Sequence, residues 1–561
     1  MTKKIEKVAV LGAGVMGSQL AAHFSNVGIP VLLFDMKQEL SLKGIEAATS
    51  LKPAPFYETK SAKLITPCNY DDHVDQIGDA DWVIEAIAER LDFKHSLFKR
   101  IEPVLKKDAF LTSNTSGLSI SDMTQVMSPD LQKRFLVTHF FNPPRYLHLL
   151  EIVPGEKTDP DVAKFLGEFS ENVLGKGLVF AKDTANFVAN RIGVFGMMKT
   201  LELTQKMHFT VEETDKLTGQ VAGRPKSATF RTADVVGLDT LAHVTQTAYD
   251  KCPDDEMRDV FKVPDFLKKM IEQGALGAKT KKGFYQKVGK EILSLNFDKL
   301  DYVPQKRVRF DGYRVAKGMA STGQSIAALA FSDDRAGKFF WETLAETLIY
   351  SANRIPEIAE NIIDIDNAMK WGFAWELGPF ETWDALGVEK SVKRMSDENK
   401  PIPQSVEKML SQGRKTFYDF EKGETTYFDL IDLKPVESPD RPKCINLKKE
   451  KQRGKLIKRN WCASLVDLGD GVACVELASA VQPQMNPIDG SIIDMLNEAV
   501  DFVPANGFKG LVIGSQSPQF SVGANLALIL GLCQKKEWDM LDMTSKLFQD
   551  TCQNLKFAPF P

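Results

Sequence analysis

Lys7-Val8-Ala9-Val10-Leu11, Gly12-Ala13-Gly14-Val15-Met16-Gly17, a helical run from Ser18 to Val27, then Pro30-Val31-Leu32-Leu33-Phe34 and Asp35: this stretch decides the fold. A short apolar strand runs straight into G-x-G-x-x-G, and an acid closes the next strand 18 residues after the last glycine. Each glycine has a task. Gly12 allows the tight turn, Gly14 lets the backbone approach a pyrophosphate drawn to the helix N-terminus, and Gly17 permits close packing of helix on strand. Asp35 is placed to accept from both ribose hydroxyls and to repel a 2′-phosphate, which favours NAD over NADP. Strand, glycines, helix, strand and acid in this order imply a Rossmann site for NAD.

Two further strands follow, Asp81-Trp82-Val83-Ile84-Glu85-Ala86 and Ala109-Phe110-Leu111-Thr112. The second leads into Ser113-Asn114-Thr115-Ser116, a polar turn at the sheet edge that faces ligand in open α/β folds. Ser116 suits a hydrogen bond to a substrate oxygen and equally suits a helix N-cap. Glu85 and Glu89 lie at the same edge and, on pattern alone, read as solvated acids at a helix start.

Thr138-His139-Phe140-Phe141-Asn142-Pro143-Pro144 comes next, with Glu151 twelve residues after the histidine. Phe135-Leu136-Val137 before the proline turn and Leu149 to Val153 after it read as buried strands. A histidine ending one strand and a glutamate in the next can meet side by side, as a general base and its orienting carboxylate must. A satisfied polar pair at a strand end is the plainer alternative.

From about residue 184 strand patterns give way to helical ones, starting at Asn186-Phe187-Val188-Ala189-Asn190-Arg191. Phe230-Arg231-Thr232-Ala233-Asp234-Val235-Val236-Gly237-Leu238 matches Phe380-Glu381-Thr382-Trp383-Asp384-Ala385-Leu386-Gly387-Val388, about 150 residues later. Helices at Val211 to Leu217 and Ile362 to Met369 precede the two stretches. Lys282-Gly283-Phe284-Tyr285 and Lys415-Thr416-Phe417-Tyr418 stand at the two closing ends. Duplicated helical units imply an intramolecular pseudo-dimer or two stacked modules. Residues 421–460, with their prolines and the basic run Lys448 to Lys455, read as a solvated linker. From Trp461 a β-β-α-β pattern returns. Gly523-Ala524-Asn525 then leads into a helix, either offering N–H groups to an oxyanion or forming an ordinary strand-to-helix loop.

The bulk composition narrows the class. At 561 residues the chain is too long for one core. With 43% hydrophobic and 26% charged residues and a net charge of −4, it points neither to nucleic acid nor to a membrane surface. No stretch approaches the apolar length of a membrane span, and no signal-peptide core follows Met1. Seven scattered cysteines show no metal-ligand spacing and fit free thiols in a reducing cytoplasm.

Residues 1 to about 390 resemble the (S)-3-hydroxyacyl-CoA dehydrogenase family. Asn114-Thr115-Ser116, His139-Phe140-Phe141-Asn142-Pro143, Glu151 and Asn190-Arg191 occur in family order, and Leu276-Gly277-Ala278-Lys279 resembles its helical-domain motif. The whole looks like a multifunctional β-oxidation protein. The fold this implies is an α/β Rossmann domain, duplicated all-α dehydrogenase C-terminal domains and a partial crotonase-like α/β domain. The boundaries are 1–184, 185–290 and 291–420, then the linker 421–460 and the tail 461–561.

By that resemblance His139 takes the 3-hydroxyl proton, Glu151 orients it, and Ser116 and Asn190 hold the substrate oxygen. Gly12, Gly14, Met16, Gly17, Asp35, Glu89, Lys94 and Asn114 fall on the NAD side, with no metal. Implied partners are an acyl-CoA substrate and, at the widest, a thiolase subunit, with no nucleic acid and no membrane insertion. The alternative is a protein that keeps the fold and binds NAD without turnover. Two departures stand out. Gly223-Arg224-Pro225-Lys226-Ser227-Ala228-Thr229 precedes Phe230 where the family has Gly-Pro, a pair kept in Gly378-Pro379-Phe380. In the tail the second half of a crotonase site is expected to lie beyond Pro561, which would leave hydratase activity absent.

Overall fold

The computed structural model describes residues 4–421, 423–439, 444–517 and 519–561. It comprises two compact units, Met1–Phe417 with Phe428–Lys434, and Tyr418–Tyr427 with Pro435–Pro561. The first unit opens on an eight-stranded sheet of β1 (Val8–Leu11), β2 (Val31–Asp35), β3 (Ile65–Asn69), β4 (Trp82–Glu85), β5 (Phe110–Ser113), β6 (Phe135–Phe140), β7 (Leu149–Pro154) and β8 (Gly177–Phe180). Their spatial order is β3-β2-β1-β4-β5-β6-β7-β8. The pairings from β3 to β6 are parallel, β6 and β7 are antiparallel, and β7 and β8 are parallel. Parallel strands are covered on both faces, which is why β1, β4 and β5 consist of buried residues with no polar alternation. Chain order reverses between β1 and β4, and the crevice at such a switch point takes the ligand.

Helix α1 (Val15–Asn26) packs on this sheet as the glycines require. A Cβ on Gly17 would lie 1.8 Å from the Gly12 carbonyl oxygen. Behind it Phe24 meets Trp82 edge to face at 5.2 Å, and the Trp82 indole donates to Thr112 Oγ1 at 2.9 Å.

Beyond the sheet the same local construction occurs twice. Asp215 accepts the N–H groups of Phe230 (2.7 Å) and Arg231 (3.2 Å); Asp366 accepts those of Phe380 (2.8 Å) and Glu381 (3.1 Å). Asp234 then accepts the Phe284 and Tyr285 N–H groups at 2.7 and 2.9 Å, and Asp384 accepts that of Phe417 at 2.7 Å.

Neither segment is all-helical, contrary to the sequence expectation. Tyr285 opens β9 (Tyr285–Val288), which joins β10 (Glu291–Asn296) and β11 (Asp301–Pro304) in an antiparallel sheet. Tyr418 opens β12 (Tyr418–Glu421), beside β13 (Glu424–Asp429) and β14 (Lys434–Glu437). These strands are short, half-exposed and polar, so apolar alternation does not reveal them. They also move two boundaries. The first segment passes residue 290, because Ser294 Oγ and the Lys306 N–H both donate to Glu212. The interval 421–460 is not a bare linker: it holds β13, β14, a short helix Leu447–Glu450 and β15 (Leu456–Arg459), while residues 422 and 440–443 lie outside the described set. Its basic run is spent on ion pairs, Lys451 with Glu476 and Arg453 with Glu424 and Glu450.

In the second unit β15, β16 (Ala463–Gly469), β17 (Val472–Leu477) and β18 (Gly510–Gly514) form one sheet, with helix Gly490–Ala505 packed through Ile492, Met495 and Val503. The Gly523 and Asn525 amides are taken by Ser521 Oγ and the Ile488 carbonyl, and Asn525 caps the helix Leu526–Lys535. The Ala524 N–H alone in that turn has no partner among the described residues. Among the described residues no helix is long and apolar enough to cross a membrane.

One buried cation ties the sheet to the loop after β6. Lys176 is 2% exposed and donates to the carbonyls of Pro144 and Leu147, 5.6 Å from the Phe140 ring centre. Burial lowers it from 10.5 to about 7. His23 on α1 is pushed down to about 3, by burial first and then by the Lys176 charge.

Two outcomes are expected. Asp234→Ala strands the Phe284 and Tyr285 amides and should lower unfolding free energy by about 1–3 kcal/mol for each amide left unpaired, read from the urea midpoint. Between pH 7 and 10.5 the unfolded chain holds a proton on Lys176 that the folded chain has released. Stability from this group therefore rises with pH across that window, at most about 1.4 kcal/mol per pH unit. Comparing urea midpoints at pH 7 and 9, Lys176→Met should remove this rise; equal slopes in parent and variant would contradict it.

Candidate active site at the carboxyl edge of the sheet

The glycine loop comes first in the chain and in the site. Gly12 sits at φ +106, where a Cβ would fall 2.6 Å from the Ala86 oxygen. Gly14 is the extended N-cap of α1, with no side chain capping the helix and nothing within 4 Å of a Cβ built on it. The first turn of α1 therefore presents uncapped N–H groups to open space, which suits a phosphate. Asp35 ends β2 with Oδ2 accepting the Ala13 N–H at 2.8 Å and Oδ1 accepting the Met36 N–H at 2.7 Å. It thereby pins the loop while keeping lone pairs for a ribose. The Met16 side chain packs on the sheet core, so its offer to the cofactor is its backbone. These residues fit NAD.

At the end of β4 a buried relay runs toward the polar turn after β5. Lys94 reaches the two oxygens of Glu85 at 2.8 and 2.7 Å and Glu89 at 3.4 Å. Glu89 Oε1 in turn accepts the Ser116 N–H at 2.9 Å and the Thr115 hydroxyl. Burial alone would push the Glu89 carboxyl up, but the Lys94 charge, the Thr115 hydroxyl and the Ser116 N–H hold it below the usual carboxylate range. Glu85 and Lys94 are 0% and 1% exposed. Two corrections follow. Glu85 is not a solvated acid but the counter-ion of Lys94. Lys94 is not turned outward to a cofactor: its ammonium is enclosed by Glu85 and Glu89. Asn114 Oδ1 accepts the Phe140 N–H at 2.9 Å, so part of this residue is spent holding β6 beside β5.

His139 and Glu151 are direct partners across β6 and β7. Nδ1–H of His139 donates to Glu151 Oε2 at 2.6 Å, which leaves Nε2 as the acceptor. Glu151 Oε1 accepts the N–H groups of Val188 (3.1 Å) and Ala189 (2.8 Å), at the start of α2 (Ala189–Lys206). Phe141 and Phe187 flank the imidazole with ring centres at 4.5 and 5.6 Å. The turn that delivers Phe187 is strained: Asn186 and Phe187 both hold positive φ, at 65° and 49°.

Parallel register places Ser113 beside Val137, so the Ser116 turn leaves the sheet next to the end of β6. The Ser116 hydroxyl and the Asn190 amide have no hydrogen-bond partner among the described residues, and both are partly buried. Sequence reasoning had not singled out Phe187, Thr115 or the role of Glu85. Phe187 adjoins the Asn190 motif and could have been read from it. The Glu85–Lys94 pair crosses from a strand end to a helix, a spacing that no periodicity carries.

Comparison with known proteins agrees with this arrangement. The family model for the 3-hydroxyacyl-CoA dehydrogenase NAD binding domain matches residues 7–184, and that for the 3-hydroxyacyl-CoA dehydrogenase C-terminal domain matches residues 187–287. A Bacillus subtilis protein named "Probable 3-hydroxyacyl-CoA dehydrogenase" is 43% identical over 582 residues, covering 100% of this chain and 73% of its own length. A fatty acid oxidation complex subunit alpha from Psychrobacter is 32% identical across 50% of this chain and 39% of its own length. A solved 3-hydroxybutyryl-CoA dehydrogenase from Escherichia coli, 21% identical, covers 73% of this chain and 100% of its own with a TM-score of 0.55, a likeness of fold. With an NAD-binding sheet, a paired histidine and glutamate at its edge, and a relative of this identity along its whole length, the chain belongs to the 3-hydroxyacyl-CoA dehydrogenase family.

Proposed function

We propose that this chain oxidises (S)-3-hydroxyacyl-CoA to 3-oxoacyl-CoA at the edge of β5–β7. The observation that carries this reading is the His139–Glu151 pair, buried, aligned across two strands and open at Nε2. NAD, when bound, supplies the hydride acceptor. Nε2 of His139 takes the 3-hydroxyl proton. Glu151 holds the ring by Nδ1 and stabilises the cation that forms. The Ser116 hydroxyl and the Asn190 amide hold the substrate oxygen, a role supported by their having no hydrogen-bond partner among the described residues. Phe141 and Phe187 keep water from the imidazole, which strengthens the charge interactions within the pair.

Other parts of the reading extend from this. The stretches that begin at about residues 185 and 307 are proposed as two copies of one helical dehydrogenase module, on the strength of the paired aspartate caps. The second unit is proposed as crotonase-like on its β-β-α-β order and its Gly523-Ala524-Asn525 turn. An acyl-CoA substrate in a complex setting accords with the fatty acid oxidation relatives, and a thiolase partner is the finer proposal. Cytoplasmic residence is proposed from the seven free cysteines.

His139→Gln should lower kcat for NADH-monitored turnover of 3-hydroxybutanoyl-CoA by about 10²-fold or more while NAD binding by calorimetry stays within a few fold. Binding without turnover in the unmodified chain would instead favour a non-catalytic protein. Glu85→Gln leaves Lys94 with a weaker partner and should displace Glu89. KM for the thioester should rise and kcat fall together, and a variant kinetically equal to the parent would overturn the relay.

A further inference from the structure

The Asn190 side chain has no hydrogen-bond partner among the described residues, so the backbone on either side sets its place. Ala189 before it gives its N–H to Glu151 at 2.8 Å. Arg191 after it is 0% exposed, and a cation drawn out of water is tolerable only when its donors are met. Nε donates to the Tyr350 hydroxyl at 2.6 Å, Nη1 to Cys252 Sγ at 2.7 Å, and Nη2 to Asp255 at 2.6 Å and to Glu357 at 3.0 Å.

Two of these partners come from the helix Arg335–Asn353 and the stretch just after it, and Tyr350 on that helix touches α2 twice. Its ring stacks on Phe195 with centres 3.8 Å apart and planes 2° from parallel. Its hydroxyl accepts from Arg191 and donates to Asp255 at 2.7 Å. Burial raises the phenol above its usual value, which keeps that proton in place. Burial alone would push the Asp255 carboxyl up, but the Tyr350 hydroxyl and the Arg354 charge hold it below the usual carboxylate range. Arg354, one turn after Tyr350, closes the group through Asp255 at 3.2 Å, Glu357 at 2.7 Å and Glu256.

A helix turns about its own axis unless something off the axis holds it. Arg191 and Phe195 are neighbours on one face of α2, four residues apart, and Asn190 stands about 100° round from Arg191. Any rotation that Arg191 allows therefore swings the Asn190 amide by the same angle. Resting on the dehydrogenase reading above, we propose that Tyr350 is a positioning residue for the oxidation: through Arg191 it fixes the rotation of α2 and so the place of the Asn190 amide against the substrate oxygen. The edge of β5–β7 is thus completed by a hydroxyl 159 residues further along the chain than Arg191. The Tyr350 ring supplies packing and its hydroxyl supplies alignment, and the two can be separated.

Tyr350→Phe separates them, since it keeps the stack on Phe195 and removes the link to Arg191. The parent, Tyr350→Phe, Asn190→Ala and the double variant form a cycle. Each is followed by NADH formation from (S)-3-hydroxybutanoyl-CoA and by calorimetric binding of 3-oxobutanoyl-CoA with NAD present. In the parent background Tyr350→Phe should lower kcat/KM by about tenfold or more and weaken 3-oxobutanoyl-CoA binding, while NAD affinity stays within a few fold. In the Asn190→Ala background the same change should cost less than about threefold, because the group it positions is gone. Equal losses in the two backgrounds mean a general loss of packing and overturn the proposal; where the Asn190→Ala variants turn over too slowly to read, the 3-oxobutanoyl-CoA affinities decide. A Tyr350→Phe variant equal to the parent overturns it as well. If Tyr350→Phe does not fold, Glu357→Gln weakens the hold on Arg191 from a partly exposed position and is put through the same cycle with the same outcomes. Absence of turnover by the parent would instead remove the dehydrogenase reading on which the proposal stands.

Discussion

The carboxylate of Glu151 is the constraint on which the site depends. It is 0% exposed, and a buried carboxylate is tolerable only if its lone pairs are filled. Three donors fill them: His139 Nδ1–H on one oxygen, Val188 and Ala189 N–H on the other. These donors come from β6 and from the start of α2. One charge thus joins the antiparallel turn in the sheet to the first helix beyond it, and the imidazole orientation becomes a consequence of that junction. The strained φ values at Asn186 and Phe187 are the local cost of bringing two consecutive amides onto one oxygen.

A second buried charge system does for Ser116 what Glu151 does for His139. Glu85, Lys94 and Glu89 form a line from the end of β4, through the helix Leu91–Ile101, to the backbone of the polar turn. None of the three needs to touch substrate to matter. Their pairing sets where the Ser116 amide stands, and a neighbouring hydroxyl moves with it. Both systems are anchored on regular elements, Glu85 on β4, Lys94 on the helix Leu91–Ile101, His139 on β6 and Glu151 on β7, which is how a proton acceptor and the turns beside it keep their spacing.

The sequence announced the parts whose physics is local. Gly12, Gly14, Gly17 and Asp35 occupy the places their spacing implies, because a tight turn and an uncapped helix start are decided within a few residues. The adjacency of His139 and Glu151 was also legible, since two buried strands about a short turn admit few registers. The small sheets β9–β11 and β12–β14 were not legible: their strands are half-exposed, and the first is entered through an amide held by Asp234, fifty residues upstream. The Glu85–Lys94 pair was missed for a related reason, as an acid at a helix start looks solvated until the lysine that covers it is located in space.

The helical segment that follows residue 306 also acquires a physical role. Its helix α3 (Ile362–Gly372) ends against the segments that hold the pair. A Cβ on Gly372 would lie 2.6 Å from Leu149 and 3.4 Å from both Ala189 and Phe141. Trp371 meets His148 edge to face at 5.0 Å, and a Cβ on Gly177 would fall 2.5 Å from its ring. Leu149 starts the strand of Glu151, Phe141 covers His139, and Ala189 donates to Glu151. Close packing transmits small displacements, since interiors have little free volume to absorb them. A segment that touches all three at van der Waals distance limits the motion of the junction that Glu151 closes. The second segment supplies, within one chain, a surface that covers β7 and α2.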